Sequence, residues 1–171
     1  MTEQHGEGQQ HAADRIRAAT TMQEILDTAA SFEKTAMDFY TALAPKVSKR
    51  IRWLVEELAE EEKQHFEMFS ELAGQPDLDD QFKALIIVPE ADKRFSDCIQ
   101  MPDLGEAPDD QAVLQYALGR EQAAMEQYRE LSETAAAGPI QALFEFLANE
   151  ETKHKAELEK LYYEIVHSGG V

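Results

Sequence analysis

The chain is poor in cysteine: Cys98 is the only one among 171 residues, which excludes a disulfide framework or a four-cysteine metal site built within it. Long apolar runs are missing too. No stretch approaches the roughly 18 to 20 residues of a membrane span, and the polar start MTEQHGEGQQ lacks the apolar centre of a signal peptide. The expectation is a soluble cytoplasmic protein without a membrane partner, long enough to close one domain around a real core. Positive charge is scarce: 16 Lys and Arg stand against 34 Asp and Glu, a formal charge of -18, which argues against nucleic acid as a partner and for cations, metal ions included. An acid excess also serves plain solubility, so only a clustering of acids gives it further meaning.

What is present reads as helix. Residues 1–19 form a polar tail holding His5 and His11, which are expected to be solvated. Thr21 and Glu24 make a capping box that starts a helix over 21–43, and Pro45 interrupts it. A second helix spans 47–72 and ends at Ala73-Gly74. Residues 75–108 change character, with four prolines, the apolar run ALIIVP and one brief helix expected over 77–85. Asp109 and Asp110 open a third helix over 109–137, and Gly138-Pro139 is a stop followed by a first-turn proline for a fourth over 139–167. Four long helices with two short links predict an all-α four-helix bundle over residues 20–171. The long connection between helices 2 and 3, far beyond the usual bundle loop of about 2 to 8 residues, predicts a single crossover with those two helices parallel.

The chain also repeats itself. The apolar stripe of helix 1 reads Leu26, Ala29, Glu33, Ala36, Tyr40, Leu43, and helix 3 reads Leu114, Ala117, Glu121, Ala124, Tyr128, Leu131, the same types 88 residues later. Helix 2 gives Ile51, Leu54, Leu58, Glu62, His65, Leu72, and helix 4, 89 residues later, gives Ile140, Leu143, Leu147, Glu151, His154, Leu161. At about 100° per residue the apolar positions of helix 2 centre near Leu58; Glu62 and His65 fall within roughly 40° of that centre and Glu61 about 60° away. Glu62 and its twin Glu151 are therefore the inward acids. Glu60, Glu61, Glu67, Glu126 and Glu150 are expected on solvated faces or in surface ion pairs, and Trp53, Phe39, Phe66 and Phe69 in packing.

If the stripes share a centre, four carboxylates meet two imidazoles. Unpaired in an apolar bundle, such acids would cost many kcal/mol or stay protonated. Two divalent cations would balance them, and one Glu from each of two helices plus a Glu-x-x-His pair from each of the other two is the ligand pattern of carboxylate-bridged di-iron and di-manganese bundles. A thiolate-free oxygen and imidazole set suits iron, with manganese or zinc as alternatives.

On Glu33, EEKQH at 61–65, Glu121 and EETKH at 150–154, the chain resembles the ferritin-like superfamily and, within it, the rubrerythrin-like di-iron proteins. The resemblance implies a ferritin-like four-helix bundle in which Glu62 and Glu151 bridge two iron ions, Glu33 and Glu121 are terminal ligands, and His65 and His154 each bind one metal. Tyr40 and Tyr128 stand two turns beyond Glu33 and Glu121, where a phenol can hydrogen-bond a ligand carboxylate. The chain departs from rubrerythrins proper in lacking the four-cysteine iron domain, so the electron donor is expected to be external. It departs again at Leu118 and Ala124, three residues either side of Glu121, where rubrerythrin-type sites tend to carry an additional glutamate.

Three functions follow. One is a di-iron oxidoreductase reducing hydrogen peroxide or dioxygen; the second is a ferroxidase or iron-storage protein; the third is a metal-independent structural bundle. A homodimer or larger homo-oligomer is expected, with no nucleic-acid partner.

Overall fold

The computed structural model describes residues 19–75, 85–87 and 104–168. His5, His11, Cys98 and the brief helix expected ahead of Leu85 lie outside them.

The described residues form four helices, α1 (Met22–Leu43), α2 (Lys49–Ala73), α3 (Asp110–Thr134) and α4 (Pro139–Ser168). Their ends follow local chemistry. The amide of Glu24 donates to Thr21 Oγ1 at 3.1 Å and the amide of Thr21 to Glu24 Oε2 at 2.9 Å, which closes the capping box on α1. α2 begins two residues later than the apolar pattern suggests, because Ser48 is its cap and accepts from the amide of Arg50. Val47, expected inside the helix, is buried in the link instead. Arg52 then reaches back to the carbonyls of Ala44 at 3.0 Å and Val47 at 2.9 Å, supplying donors around the end of α1. α3 stops at Thr134 rather than 137: Ala135 turns extended, and Gln141 donates to the freed carbonyl of Ser132 at 3.0 Å. Gly138 holds φ at 155°, a region L side chains rarely adopt, and Pro139 takes the first position of α4, where its missing N–H has no helical partner to lose.

The directions of the helices can be read from contacts. Tyr40 of α1 meets Glu121 of α3, while Tyr128 of α3 meets Glu33 of α1, a crossed register that only antiparallel helices allow. α2 folds back on α1 through a short link, so α2 runs parallel to α3. Ser48 Oγ donates to Asp110 Oδ2 at 2.6 Å, tying together the two N-termini that the crossover brings to one end.

The apolar stripes make two plugs. One gathers Leu26, Phe32, Phe69, Leu131 and Phe144; the other gathers Leu43, Ile51, Leu58, Leu114 and Leu158. The ranges show where they lie, since each plug takes one half of every helix. Between them sits the polar band. Phe144 is fully buried while its neighbour Leu143, expected in the stripe, is only partly so. Trp53, expected to pack, is 54% exposed.

One feature is not helical. Ala19–Thr21 and Leu85–Ile87 form a two-stranded antiparallel ladder, β1 and β2, with Ala19 opposite Ile87 and Thr21 opposite Leu85. Ile86 and Ile87 thus extend along the entry to α1, and Leu85 belongs to a strand rather than to the end of a helix. Among the described residues no helix is long and apolar enough to cross a membrane.

Candidate metal centre

Glu33 on α1, Glu62 and His65 on α2, Glu121 on α3, and Glu151 and His154 on α4 converge at mid-bundle, each no more than 3% exposed. They form two overlapping groups. Glu33, Glu62, His65 and Glu151 offer donor atoms within 4.8 Å of one another, and so do Glu62, Glu121, Glu151 and His154. Glu62 and Glu151 are the pair shared between them. The local reason is helical spacing: a carboxylate and an imidazole three residues apart share a face, and both hairpins place that pair opposite an inward Glu.

Among these six residues the contacts run through Nδ1 of each histidine. His65 Nδ1 lies 3.1 Å from Glu62, 3.3 Å from Glu151 and 3.5 Å from Glu33. His154 Nδ1 lies 3.3 Å from Glu151, 3.4 Å from Glu121 and 4.0 Å from Glu62. The two rings stack with centroids 5.9 Å apart. Tyr40 Oη donates to Glu121 Oε1 at 2.7 Å, and Tyr128 Oη donates to Glu33 Oε1, so each phenol serves the carboxylate of the opposite hairpin.

Protons carry the charge balance here. Burial, then the Glu62 charge, raises the Glu33 carboxyl well above its ordinary range. Burial, together with Glu62 and Glu121, raises Glu151 to about 8. Burial also disfavours charge on Glu121, but its close contacts with Glu151 and His154 outweigh it and bring that carboxyl down to about 2. Burial alone would lower both histidines; the carboxylates gathered around each ring override it and hold each imidazole charged.

Do two cations fit this set? One N–H on each Nδ1 faces three carboxylates, and Glu33 Oε2 and Glu151 Oε1 are buried without any hydrogen bond. Two carboxylate oxygens thus lack a donor in the buried centre. A divalent ion accepts several oxygen and imidazole donors at once, where a proton serves one or two, so the deficit is of the kind that metal binding removes.

Two residues escaped the sequence reading. Glu61, expected on the surface, is partly buried on the flank of α2 with its Oε2 2.6 Å from His154 Nε2, although not aligned with that N–H as a hydrogen bond. The His154 contact lowers its pKa. Arg120, beside Glu121, is buried with its guanidinium 4.7 Å from the Phe32 ring centroid, and donates to Tyr116 Oη at 3.3 Å. The repeat itself held the signal for Arg120, because its counterpart 88 residues earlier is Phe32, an arginine where the twin has an aromatic ring. Glu60 makes an exposed ion pair with Lys63, whereas Glu150, its side chain only 21% exposed, pairs with the exposed Lys153.

Comparison with known proteins bears on the fold and the family. A ferritin-like diiron-carboxylate protein from Thermotoga maritima, so described in its crystal structure, superposes with a TM-score of 0.66 at 22% identity, covering 85% of this chain and 96% of that one. That likeness is one of fold. No match is found among curated proteins. The sequence profile of the rubrerythrin family matches residues 24–101 and 112–168. That match spans both hairpins and both Glu-x-x-His pairs, and by it the chain belongs to the rubrerythrin family.

Proposed function

We propose that the protein is a non-haem di-iron oxidoreductase that reduces hydrogen peroxide or dioxygen and is re-reduced by an external electron donor. The observation that carries it is the pair of overlapping donor sets, which share only Glu62 and Glu151. Glu33 and His65 would complete one position and Glu121 and His154 the other, with the shared carboxylates between them. Iron bound there supplies Lewis acidity and two electrons for the oxidant. The chain does the rest. Tyr128 and Tyr40 hold Glu33 and Glu121 in place by hydrogen bonds, and the apolar plugs above and below keep bulk water out. With one cysteine, the chain cannot build a four-cysteine iron site of its own as a source of electrons. A homo-oligomeric state belongs to the same proposal.

A second reading, ferroxidase and iron handling, is favoured by the formal charge of -18, which draws cations to the surface. Two measurements decide. Protein purified without added iron should bind about two iron ions per chain, and its ferrous form should be oxidised by peroxide in stopped flow far faster than ferrous ion in buffer. Oxidation no faster than in buffer refutes the redox proposal, and uptake continuing to tens of ions per chain favours storage.

A further inference from the structure

The two halves of the centre are not alike. His154 has a carboxylate at each end of its ring: Nδ1 faces Glu121 and Glu151, and Nε2 lies 2.6 Å from Glu61 Oε2. Among the described residues, every ion pair of His65 runs through Nδ1 instead. The residue that matches Glu61 in the repeat is Glu150, and it does not mirror the contact, because it is paired with Lys153.

The cause is legible in the two motifs. In EETKH the third residue after Glu150 is Lys153, one turn along α4, and it captures that carboxylate. In EEKQH the residue one turn beyond Glu61 is Gln64, which has no charge to offer, while Lys63 pairs with Glu60 at 3.7 Å. Glu61 is thereby left to lean from the flank of α2 toward α4. Its side chain remains 34% exposed while the ring it meets is buried. An exposed ion pair is weak, but here it only has to choose between two rotamers of a carboxylate at a helix edge.

We propose that Glu61 is a positioning residue for His154 that makes the two metal positions unequal. The inference rests on the di-metal reading of the same site. Glu61 already stands beside the far nitrogen of His154, and a carboxylate there fixes the ring plane of a ligating histidine and raises its basicity once the N–H turns toward it; loss of such a partner typically weakens metal affinity 10- to 100-fold. The position built on Glu121 and His154 therefore fills first, and the position built on Glu33 and His65 fills second.

Titration of the metal-free protein with Co(II), followed by its visible absorption, reads this without any turnover. Wild type should take up Co(II) in two resolved steps, and the tighter should be the one lost in Glu121→Ala. Glu61→Gln keeps the shape of the side chain and should weaken the tight step by about tenfold or more, alter its Co(II) spectrum, and leave the weaker step in place. Lys153→Gln should release Glu150 toward His65 and tighten the second step. Two bound ions with both steps unmoved in Glu61→Gln, or weakened equally, overturn this inference alone. A second step unmoved in Lys153→Gln overturns its sequence account. No Co(II) uptake by wild type overturns the di-metal reading and this inference with it.

Discussion

Removing a shared carboxylate should do more damage than removing an unshared one, and the difference is calculable. Glu62 belongs to both donor groups, whereas Glu33 belongs to one; without Glu33, the set of Glu62, Glu121, Glu151 and His154 remains complete. A redox-silent ion such as Zn(II), present at about 100 times its dissociation constant, stabilises the folded state by about 2.7 kcal/mol per site. Two sites give about 5 kcal/mol, and for a chain of this size each kcal/mol raises the melting temperature by about 2 to 4 °C. Wild type should therefore melt about 10 to 20 °C higher with Zn(II) than after chelation. Glu33→Ala should retain about half of that shift and one ion per chain, and Glu62→Ala should lose nearly all of it. Differential scanning fluorimetry with and without Zn(II), paired with metal counts after equilibrium dialysis, makes the comparison. Equal losses in the two variants would refute the bridging geometry. A wild-type melting temperature indifferent to metal would leave only a structural bundle.

The metal-free and metal-loaded proteins should also respond to pH with opposite signs. Folded-state values above the unfolded ones, as for His65, His154, Glu33 and Glu151, contribute stability at low pH that is lost as pH rises; for Glu151 the window runs from the ordinary 4.5 up to about 8. Glu121 works the other way, but its contribution is lost only as pH falls from 4.5 toward 2. Metal-free protein should thus lose up to about 1.4 kcal/mol per pH unit for each titrating group between roughly pH 5 and 8. Loaded protein, whose metals have displaced those protons, should gain affinity over the same range. Melting curves of both forms across that range test it, and slopes of the same sign would contradict it. Tyr128→Phe, which strips Glu33 of its phenolic donor, should cost about 1 to 3 kcal/mol in urea unfolding and weaken one metal by about tenfold; Tyr40→Phe should do the same at Glu121. Unchanged affinity in both variants would reduce the tyrosines to packing.

How much of this was legible in the chain differs residue by residue, for physical reasons. Glu33, Glu62, Glu121, Glu151 and both histidines were readable because helix periodicity fixes a face, and the second copy distinguished an inward acid from a stray one. The capping box at Thr21 and the stop at Gly138-Pro139 were readable because they are local. What periodicity cannot express is which helix a side chain meets. The exchange of partners between Tyr40 and Tyr128 depends on the antiparallel setting of α1 against α3, and the ladder of β1 with β2 joins segments far apart in sequence.

Glu61 failed for a different reason. An angular cut-off treats a residue about 60° from the stripe centre as outward, yet a glutamate has length enough to lean back from the helix edge into the neighbouring interface. Whether it does so depends on competition from its own helix. Glu150, at the same angle in the repeat, is held along its own helix by Lys153; Glu61, with Gln64 in the corresponding place, reaches His154. The repeat is therefore informative twice. Where its copies agree, they mark the centre. Where they differ, at Gln64 against Lys153 and at Phe32 against Arg120, they mark how an architecture of two similar hairpins comes to hold two dissimilar halves.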